Sequence, residues 1–412
     1  MPNNAISVLI PTRERAELLQ SAIQSCLAQK YDNCVFIVSD NFSADHTRDV
    51  VQSFRDPRLV YVNPGQRLSM AGNFEFALSQ ARPGYVLSIG DDDALMPDAL
   101  GYLDSLIEET KAEAIAGRWN CYVWNNYPIE ESRNFLHMWL GQGFSVRQSR
   151  EEVRRTLGFN YSYVHKLAGL YYGLVSTNLI QRLRRAGTFF HSMTPDAYSA
   201  FACSLAAKHF IYSHKPFVLA GLSGKSNGAS QLLNINSSEV EKYVKENTHS
   251  FHDALNYCPA EAVILAEAFL QLKDTHPELT EGIDFSVTSM CINALRQAFP
   301  NARTAVEAAI KEVAKKHPDI DLRRVQYSAK LPAVGARIRK EIDEFIVPRF
   351  SVVCDPLQIK NIADATTYAD AITKEREGQA LQTWMKQQKD RVFRKVEKIR
   401  KAKIHRKDEL SN

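Results

Sequence analysis

The stretch YVLSIGDDDALMP (residues 85–97) joins a short apolar run to three adjacent aspartates. The run Tyr85–Ile89 is typical of a buried strand, because it is short, apolar and followed at once by glycine. Three carboxylates at the end of a strand repel one another. Two explanations stay open: the aspartates hold a cation, or they form a solvated turn before the helix that begins at Pro97.

Strand and helix alternate in the same way through the residues before this stretch. The pattern predicts strands at Ile6–Ile10, Cys34–Val38 and Leu59–Val62, and helices at Glu14–Lys30, Ser43–Phe54, Met70–Ala81 and Pro97–Thr110. Such alternation indicates βαβ units and a mainly parallel sheet. Ligands of these sheets bind at the carboxyl ends of the strands. We therefore expect the polar residues that follow the strands to lie along one edge.

Composition and charge limit the classes of protein to which the chain can belong. The chain has 412 residues, of which 45% are hydrophobic and 24% charged, which is typical of a globular protein with about two domains. The net charge of +4 does not argue for a nucleic-acid partner. The seven cysteines are scattered without a C-x-x-C pair, so we expect buried thiols in a reducing compartment rather than disulfides or zinc.

Targeting signals are not evident in the sequence. A strand-like run directly follows Met1–Asn4, which argues against a signal peptide. No apolar stretch approaches the roughly 20 residues that a membrane helix needs. We therefore expect a cytoplasmic protein, with peripheral attachment to the inner face of the membrane as an open alternative.

A Gly/Ser-rich stretch, GLSGKSNGAS (residues 221–230), divides the chain. We predict an α/β domain at residues 1–230 and a helical domain of unknown role at residues 231–380. The pattern after Ser237 is helical, with proline breaks. A basic amphipathic helix is predicted for residues 381–412.

Three motifs occur in a set order: ISVLIPTRER (residues 6–15), VSDNFSADHT (residues 38–47) and GDDDALMPDAL (residues 90–100). Together they resemble those of the family 2 glycosyltransferases with the GT-A fold. The resemblance covers about residues 5–230 and nothing after about residue 235. It implies a Rossmann-like mixed sheet flanked by helices, followed here by a mainly α-helical C-terminal region.

The resemblance implies that the first two motifs bind a nucleotide-sugar donor, most often a UDP-sugar. Asp40 takes the place of the residue that holds the base, and a carboxylate can accept the imide N–H of uracil. The other expected donor-binding residues are Pro11, Thr12, Arg13, Arg15, Asn41 and Asn73. Phe42 stands where the family often has glycine, which leaves the identity of the base open.

The third motif matches the family's DxD region, which implies a Mn²⁺ or Mg²⁺ cofactor. Asp92 is the expected metal ligand, since hard divalent ions prefer oxygen donors. Asp91 would face the ribose or the sugar, and Asp93 would bind the sugar or support the loop. The assignment among the three stays open. A metal there would neutralise charge on the leaving nucleoside diphosphate.

An inverting transferase also needs a base for the acceptor hydroxyl. In HSMTPDAYSAF (residues 191–201) the family position falls on Asp196, with Pro195 in place of the usual acid. The alternative is a helix-capping aspartate, because TPDA is a common helix start. A helix N-terminus lowers the pKa of a carboxyl, so a catalytic Asp196 would need compensating burial.

Three further candidates follow from the same resemblance. Tyr172 lies where the family has the acceptor side, and its ring would either stack on a sugar or pack in the core. His214 and Lys225 lie where many relatives carry a residue that contacts the diphosphate or the metal.

The segment from Lys386 to Lys407 has eleven Lys or Arg residues and two acids. A basic amphipathic helix favours an anionic membrane surface as partner, and a solvated terminal helix is the alternative. No nucleic-acid module is evident, so no nucleic-acid partner is expected.

The predicted function is transfer of a sugar to a saccharide or lipid-linked acceptor in surface glycan synthesis. Two rivals stay open. A nucleotidyltransferase that makes nucleotide sugars would normally have a glycine-rich first loop, and IPTRER (residues 10–15) has no glycine. A non-catalytic protein that binds nucleotide sugars is the second rival, and Pro195 supports it.

Overall fold

The computed structural model describes residues 4–158, 166–226, 237–331 and 349–376. The strands are β1 (Ile6–Thr12), β2 (Cys34–Asp40), β3 (Leu59–Val62), β4 (Tyr85–Ser88), β5 (Ala94–Leu95), β6 (Ala114–Val123), β7 (Phe135–Trp139), β8 (Phe144–Gln148), β9 (Leu174–Ser176), β10 (His209–Leu222) and β11 (Arg349–Val353). The first seven helices are α1 (Ala16–Leu27), α2 (Thr47–Ser53), α3 (Met70–Ser79), α4 (Ala99–Thr110), α5 (Ser149–Thr156), α6 (Thr177–Leu183) and α7 (Pro195–Ala206). The others are α8 (Ser237–Glu246), α9 (Glu261–Thr275), α10 (Pro277–Thr280), α11 (Val287–Gln297), α12 (Arg303–Lys316), α13 (Leu322–Lys330) and α14 (Ile362–Arg376).

The described strands form one mixed sheet in the order β11-β7-β6-β9-β4-β1-β2-β3, and β10 pairs with β5, β6 and β8. Parallel pairing of β1 with β2 and β4, and of β2 with β3, confirms the predicted α/β fold. The antiparallel strand β9 lies between β4 and β6. Because β1 and β2 end side by side, with Thr12 opposite Asp40, their polar termini share one edge.

Apolar side chains cover both faces of the sheet. All seven residues of β2 are buried, as expected for a strand with helices on both sides. One core contains residues of α1 and α4. The other contains residues of α3 and α7 and continues into helices α9 to α13. The helical region therefore packs directly on α7.

The sheet contains one long, irregular strand, and one prediction was wrong in detail. His209–Leu222 forms β10, whose register shifts between Ser213 and Val218. The residues after Ser237 are not all helical, because β11 pairs antiparallel with β7. Its sequence RFSVV is rich in β-branched and aromatic residues, which favour a strand.

After the helical region the chain returns to α1 and forms a third buried cluster there. Helix α14 packs on α1, where Ile362 and Ala365 share a buried cluster with Leu18. The domain boundary near residue 230 stays a prediction, and it falls in residues 227–236, outside the described ranges. The basic helix predicted for residues 381–412 also lies outside them.

The cysteines are buried free thiols, as the sequence predicts. Within the described ranges, every helix is too short or too polar to cross a bilayer.

Candidate functional site

The acidic turn lies between β4 and β5, and all three of its aspartates are buried. Asp93 anchors it. Its carboxylate accepts hydrogen bonds from the Tyr172 hydroxyl at 2.7 Å, the Tyr171 hydroxyl at 3.0 Å and the backbone N–H of Gly221 at 2.8 Å. The backbone N–H of Gly90 donates to it as well. With four donors around it, the Asp93 side chain is well placed to support the loop.

Asp91 connects the turn to the first loop. Its carboxylate accepts a hydrogen bond from the Thr12 hydroxyl at 2.7 Å and pairs with the Arg15 guanidinium at 2.9 Å. Burial opposes the charge on Arg15, but Asp91 and Asp92 outweigh that effect and raise its pKa above the ordinary value. Arg15 also donates to the backbone carbonyl of Lys225, which brings that residue beside the same loop.

Asp92 is the least compensated of the three carboxylates. Its side chain accepts a hydrogen bond from the Ser223 hydroxyl at 2.6 Å, and the Trp124 indole donates to its backbone carbonyl at 3.1 Å. Burial, followed by the charges of Asp93 and Asp91, raises the pKa of Asp92 to about 7. A carboxyl in this state gains from a nearby cation, which would hold it ionised.

The residues of the turn fit a divalent ion only in part. Asp92 supplies buried carboxylate oxygen, the donor type that Mg²⁺ and Mn²⁺ prefer. Among the described residues, no group of three or more His, Cys, Asp and Glu side chains is arranged to hold a metal. This fits the common case of Mg²⁺, which keeps several waters and binds through one or two carboxylates plus substrate phosphates.

Gly221 lets β10 approach the acidic turn. A Cβ atom added there would lie 1.8 Å from the backbone carbonyl oxygen of Asp92 and 2.8 Å from the Trp124 indole nitrogen. Such contacts are impossible, so a side chain at this position would force β10 away from the turn. Ser223 follows two residues later and bonds to Asp92. The end of β10 is therefore part of the site.

Asp40, predicted to hold the base, is buried at the end of β2. It accepts hydrogen bonds from the Tyr61 hydroxyl at 2.6 Å, the Ser43 backbone N–H at 3.0 Å and the Asn63 amide at 3.3 Å. The next residue but one, Phe42, has a left-handed backbone (φ 55°) and a side chain that is 53% exposed. A bulky residue in that conformation is strained, and such strain is common in loops of functional sites.

The side chains of the two predicted asparagines, Asn41 and Asn73, form hydrogen bonds with nearby backbone groups. The Asn41 side chain both donates to and accepts from the backbone of Leu68, at 2.9 and 2.8 Å. The Asn73 side chain accepts from the Ser39 hydroxyl at 2.8 Å and donates to the Ser39 carbonyl at 3.2 Å. Asn41 therefore ties the loop after β2 to Leu68, and Asn73 ties α3 to β2. The role of both toward a ligand stays a prediction.

The remaining first-loop residues differ in their contacts. Pro11 lies in β1 opposite Ser39. Arg13 pairs with Glu246, the last residue of α8, at 2.6 Å and 3.2 Å. The helical region thus contacts the same loop that bonds to Asp91.

Asp196 lies in the first turn of α7, as predicted, and its side chain is exposed. The surrounding protein removes part of the water around its carboxyl and raises its pKa, although two backbone N–H groups oppose the shift. Glu261, at the start of α9, is close enough to feel its charge: burial first and Asp196 second raise the pKa of Glu261 to about 8. Two carboxyls therefore approach each other where α7 and α9 begin.

Within the described residues, His214 lies apart from these groups. Its backbone N–H donates to the Gly143 carbonyl at 2.9 Å and its ring packs edge-on against Tyr212. Burial, then Arg147 and Arg118, lower its pKa. The structure brings Thr12, Arg15, Tyr172 and the Lys225 backbone to the acidic turn, and it shows no such contact for His214.

Sequence patterns did not reveal several residues of the site, namely Ser223, Gly221, Glu246 and Glu261. Ser223 and Gly221 lie about 130 residues from the aspartates that they contact. No local spacing links such positions.

Comparisons with known proteins agree with the family resemblance of the sequence motifs. Residues 7–170 match the model of glycosyl transferase family 2. A GalNAc(5)-diNAcBac-PP-undecaprenol beta-1,3-glucosyltransferase of Campylobacter jejuni is 33% identical over 141 residues, which are 34% of this chain and 43% of that protein. The UDP-Glc:alpha-D-GlcNAc-diphosphoundecaprenol beta-1,3-glucosyltransferase WfaP of Escherichia coli is 26% identical over 126 residues, 31% of this chain and 47% of that protein.

Among solved structures, the mannosyltransferase PcManGT of Pyrobaculum calidifontis in complex with GDP-Man and Mn²⁺ is 13% identical, with a TM-score of 0.43 over 92% of this chain and 89% of that one. The matches to the two curated relatives span less than half of their own length. The family match covers the first loop, the second-strand motif and the acidic turn, which are the parts that the structure brings to one edge of the sheet. Residues 7–170 of the chain are thus similar to glycosyl transferase family 2.

Proposed function

We propose that the protein is a metal-dependent inverting glycosyltransferase that moves a sugar from a UDP-linked donor to a hydroxyl of a lipid-linked saccharide. The observation that carries the proposal is the state of Asp92. It is a buried carboxylate at the carboxyl edge of the sheet, its pKa is raised to about 7, and its neighbour Asp91 is tied to the first loop. This arrangement suits a cation and an anionic nucleotide together.

Asp92 would hold the Mn²⁺ or Mg²⁺ ion, and donor phosphates and water would complete the coordination. When bound, the ion neutralises charge on the departing diphosphate. Thr12 and Arg15 orient Asp91 toward the donor side, and Asp93 keeps the turn closed through Tyr171 and Tyr172.

Asp196 is the proposed base. The acceptor hydroxyl attacks the anomeric carbon while the bond from that carbon to the diphosphate oxygen breaks. The hydroxyl proton passes to a carboxylate oxygen of Asp196. The raised pKa of Asp196 suits this task, because a base is more effective when its pKa lies closer to the working pH. Direct displacement inverts the anomeric centre.

The acceptor class rests on similarity. Both curated relatives carry names that specify undecaprenol-linked diphosphate saccharides, and one name specifies UDP-glucose. We extend to this chain only the class: a saccharide on a lipid diphosphate, as used in surface glycan synthesis.

Calorimetric titration of UDP into the full chain, with and without Mn²⁺, tests the proposal. We expect wild type to bind UDP more tightly with Mn²⁺ and Asp92→Asn to lose that metal dependence. Asp98→Asn is the matched control, because Asp98 is an exposed aspartate of the following helix start. Equal UDP binding with and without metal in wild type would sink the metal site. Metal-dependent UDP binding without transfer from any UDP-sugar would instead favour the non-catalytic rival.

A further inference from the structure

A chain of hydrogen bonds runs from the helical region to the start of α7. The Ser192 hydroxyl donates to the Glu267 carboxylate at 2.6 Å. The same hydroxyl oxygen accepts the backbone N–H of Thr194 at 3.1 Å. The Thr194 carbonyl then accepts the N–H of Tyr198 at 3.0 Å, which closes the first turn of α7. Asp196 lies inside that turn.

Glu267 is an unusual residue for its position. It lies in the middle of α9, is 0% exposed and has the apolar residues Ala266, Ala268 and Phe269 beside it. Burying a carboxyl costs free energy unless hydrogen bonds compensate, and an apolar residue of similar size would often pack equally well. Glu267 has two donors, Ser192 and the Gln271 amide at 2.9 Å. The presence of this carboxylate in the core therefore suggests that its hydrogen bond to Ser192 has a role.

The same short segment is held by a second helix. The Tyr243 hydroxyl, on α8, donates to the Met193 carbonyl between Ser192 and Thr194. The hydroxyl groups of Tyr198 on α7 and Thr275 on α9 lie 3.2 Å apart. Residues 192–194 are thus fixed by side chains from α8 and α9, both beyond the part of the chain that matches the family.

We propose that Glu267 is a positioning residue: through Ser192 and Thr194 it sets the first turn of α7 and so the place of the Asp196 carboxylate. The proposal rests on the proposed function, in which Asp196 is the base. It gives the helical region a task in the transfer step. A displacement of about 1 Å in a reacting group can cost about 100-fold in rate.

Hydrogen exchange of the full chain tests the mechanical part without reference to activity. In Glu267→Ala and Ser192→Ala we expect the amide of Tyr198 to exchange at least about tenfold faster, while amides of β1 and β2 keep their wild-type rates. Ser192→Ala leaves Glu267 and the rest of α9 unchanged. It therefore tests the hydrogen bonds from Glu267 through Ser192 to Thr194 even if Glu267→Ala folds poorly. Unchanged Tyr198 exchange in folded Ser192→Ala overturns the proposal.

Kinetics with Mn²⁺ and UDP-glucose test the link to Asp196, with UDP release as the readout. We expect Ser192→Ala and Glu267→Ala to lower kcat by about 10- to 100-fold with a KM for UDP-glucose within about twofold of wild type. Glu267→Gln should recover much of the rate, because an amide can still bond to Ser192 and Gln271. Asp274→Asn, a carboxyl-to-amide change on the exposed face of α9, is the control and should match wild type.

The two arms separate the possible failures. If wild type releases no UDP from any UDP-sugar, the proposed function fails, while the exchange rates still decide whether Glu267 sets α7. If wild type turns over and Ser192→Ala changes KM but not kcat, or Asp274→Asn falls as far as Glu267→Ala, Glu267 is only a structural residue and the proposal is overturned.

Discussion

The Arg13 guanidinium and the Glu246 carboxylate form a two-pronged ion pair, with N–O distances of 2.6 and 3.2 Å. Arg13 belongs to the loop after β1, and Glu246 ends α8 of the helical region. Both side chains are about 30% exposed, so solvent screens the pair and its net contribution to stability is small, about 0.2–1 kcal/mol. An incoming diphosphate would compete with Glu246 for this arginine.

We predict that Glu246→Gln tightens UDP binding, because the variant frees Arg13 and removes a negative charge from the donor side. Kd should fall about two- to fivefold, which corresponds to the free energy of an exposed ion pair. Calorimetry at low salt measures it. Glu241→Gln, on the exposed face of the same helix, should leave Kd unchanged. Weaker binding by Glu246→Gln would mean that the pair orders the loop for the donor.

The neighbouring carboxyls of Asp196 and Glu261 predict a one-sided effect on their pKa values. As the proposed base, Asp196 must be ionised, so kcat should rise with pH through its raised pKa. Burial raises the pKa of Asp196, whereas burial and then the charge of Asp196 raise the pKa of Glu261 to about 8. Because Glu261 is still neutral while Asp196 ionises, Glu261→Gln should leave this limb in place, and Asp196→Asn should lower the pKa of Glu261.

The pH dependence of UDP release from UDP-glucose measures the limb, and an NMR titration of the carboxyl groups measures the pKa of Glu261. Glu281→Gln, at an exposed acid further along the helical region, is the comparison and should leave both the limb and the pKa of Glu261 unchanged. An unchanged pKa of Glu261 in Asp196→Asn would show that the two carboxyls do not interact.

Gly221→Ala is predicted to disrupt the acidic turn, because the added methyl would lie 1.8 Å from the Asp92 carbonyl oxygen. We expect a loss of metal-dependent UDP binding and a lower Tm.

Gly101→Ala is predicted to have the opposite effect on Tm. Gly101 lies in α4 with open space around its Cα, so alanine should stabilise the protein by up to about 1 kcal/mol. Thermal unfolding of both variants, with UDP titration, separates the two effects.

The hydroxyl of Tyr172 predicts a cost for Tyr172→Phe. The change removes a 2.7 Å donor from buried Asp93 and leaves a carboxylate oxygen with less compensation. Losing such a bond costs about 1–3 kcal/mol. Urea unfolding measures the loss, and Tyr327→Phe, at a position 67% exposed, should change stability by less than about 0.5 kcal/mol. Equal midpoints for Tyr172→Phe and wild type would contradict the role given to this hydroxyl.

Much of the sheet could be predicted because its strands and helices are locally periodic. The helices that flank β1 to β4 begin and end within a few residues of their predicted bounds. The shared edge followed from the rule that parallel strands present their carboxyl ends together. Thr12 and Asp91 meet there, although 79 residues separate them.

Long-range partners could not be predicted in the same way. Ser223 bonds to Asp92 only because β10 returns beside the turn, and nothing in the local sequence near Ser223 encodes that return. Glu267 looks like an ordinary polar position in a helix until the packing of α9 on α7 makes it a buried one. The strand β11 was missed because five residues after a long helical region carry little period of their own.

The pairing of β11 with β7 has a practical consequence for shortened versions of the protein. Residues 349–353 occupy the outer side of β7 and satisfy its backbone N–H and C=O groups. A polypeptide that ends before residue 349 would leave those groups open to other molecules along Phe135–Trp139. Unprotected edge strands of this kind promote self-association and insolubility. We therefore expect residues 349–353, which lie far from the acidic turn, to help keep the protein dispersed at the concentrations at which it is made.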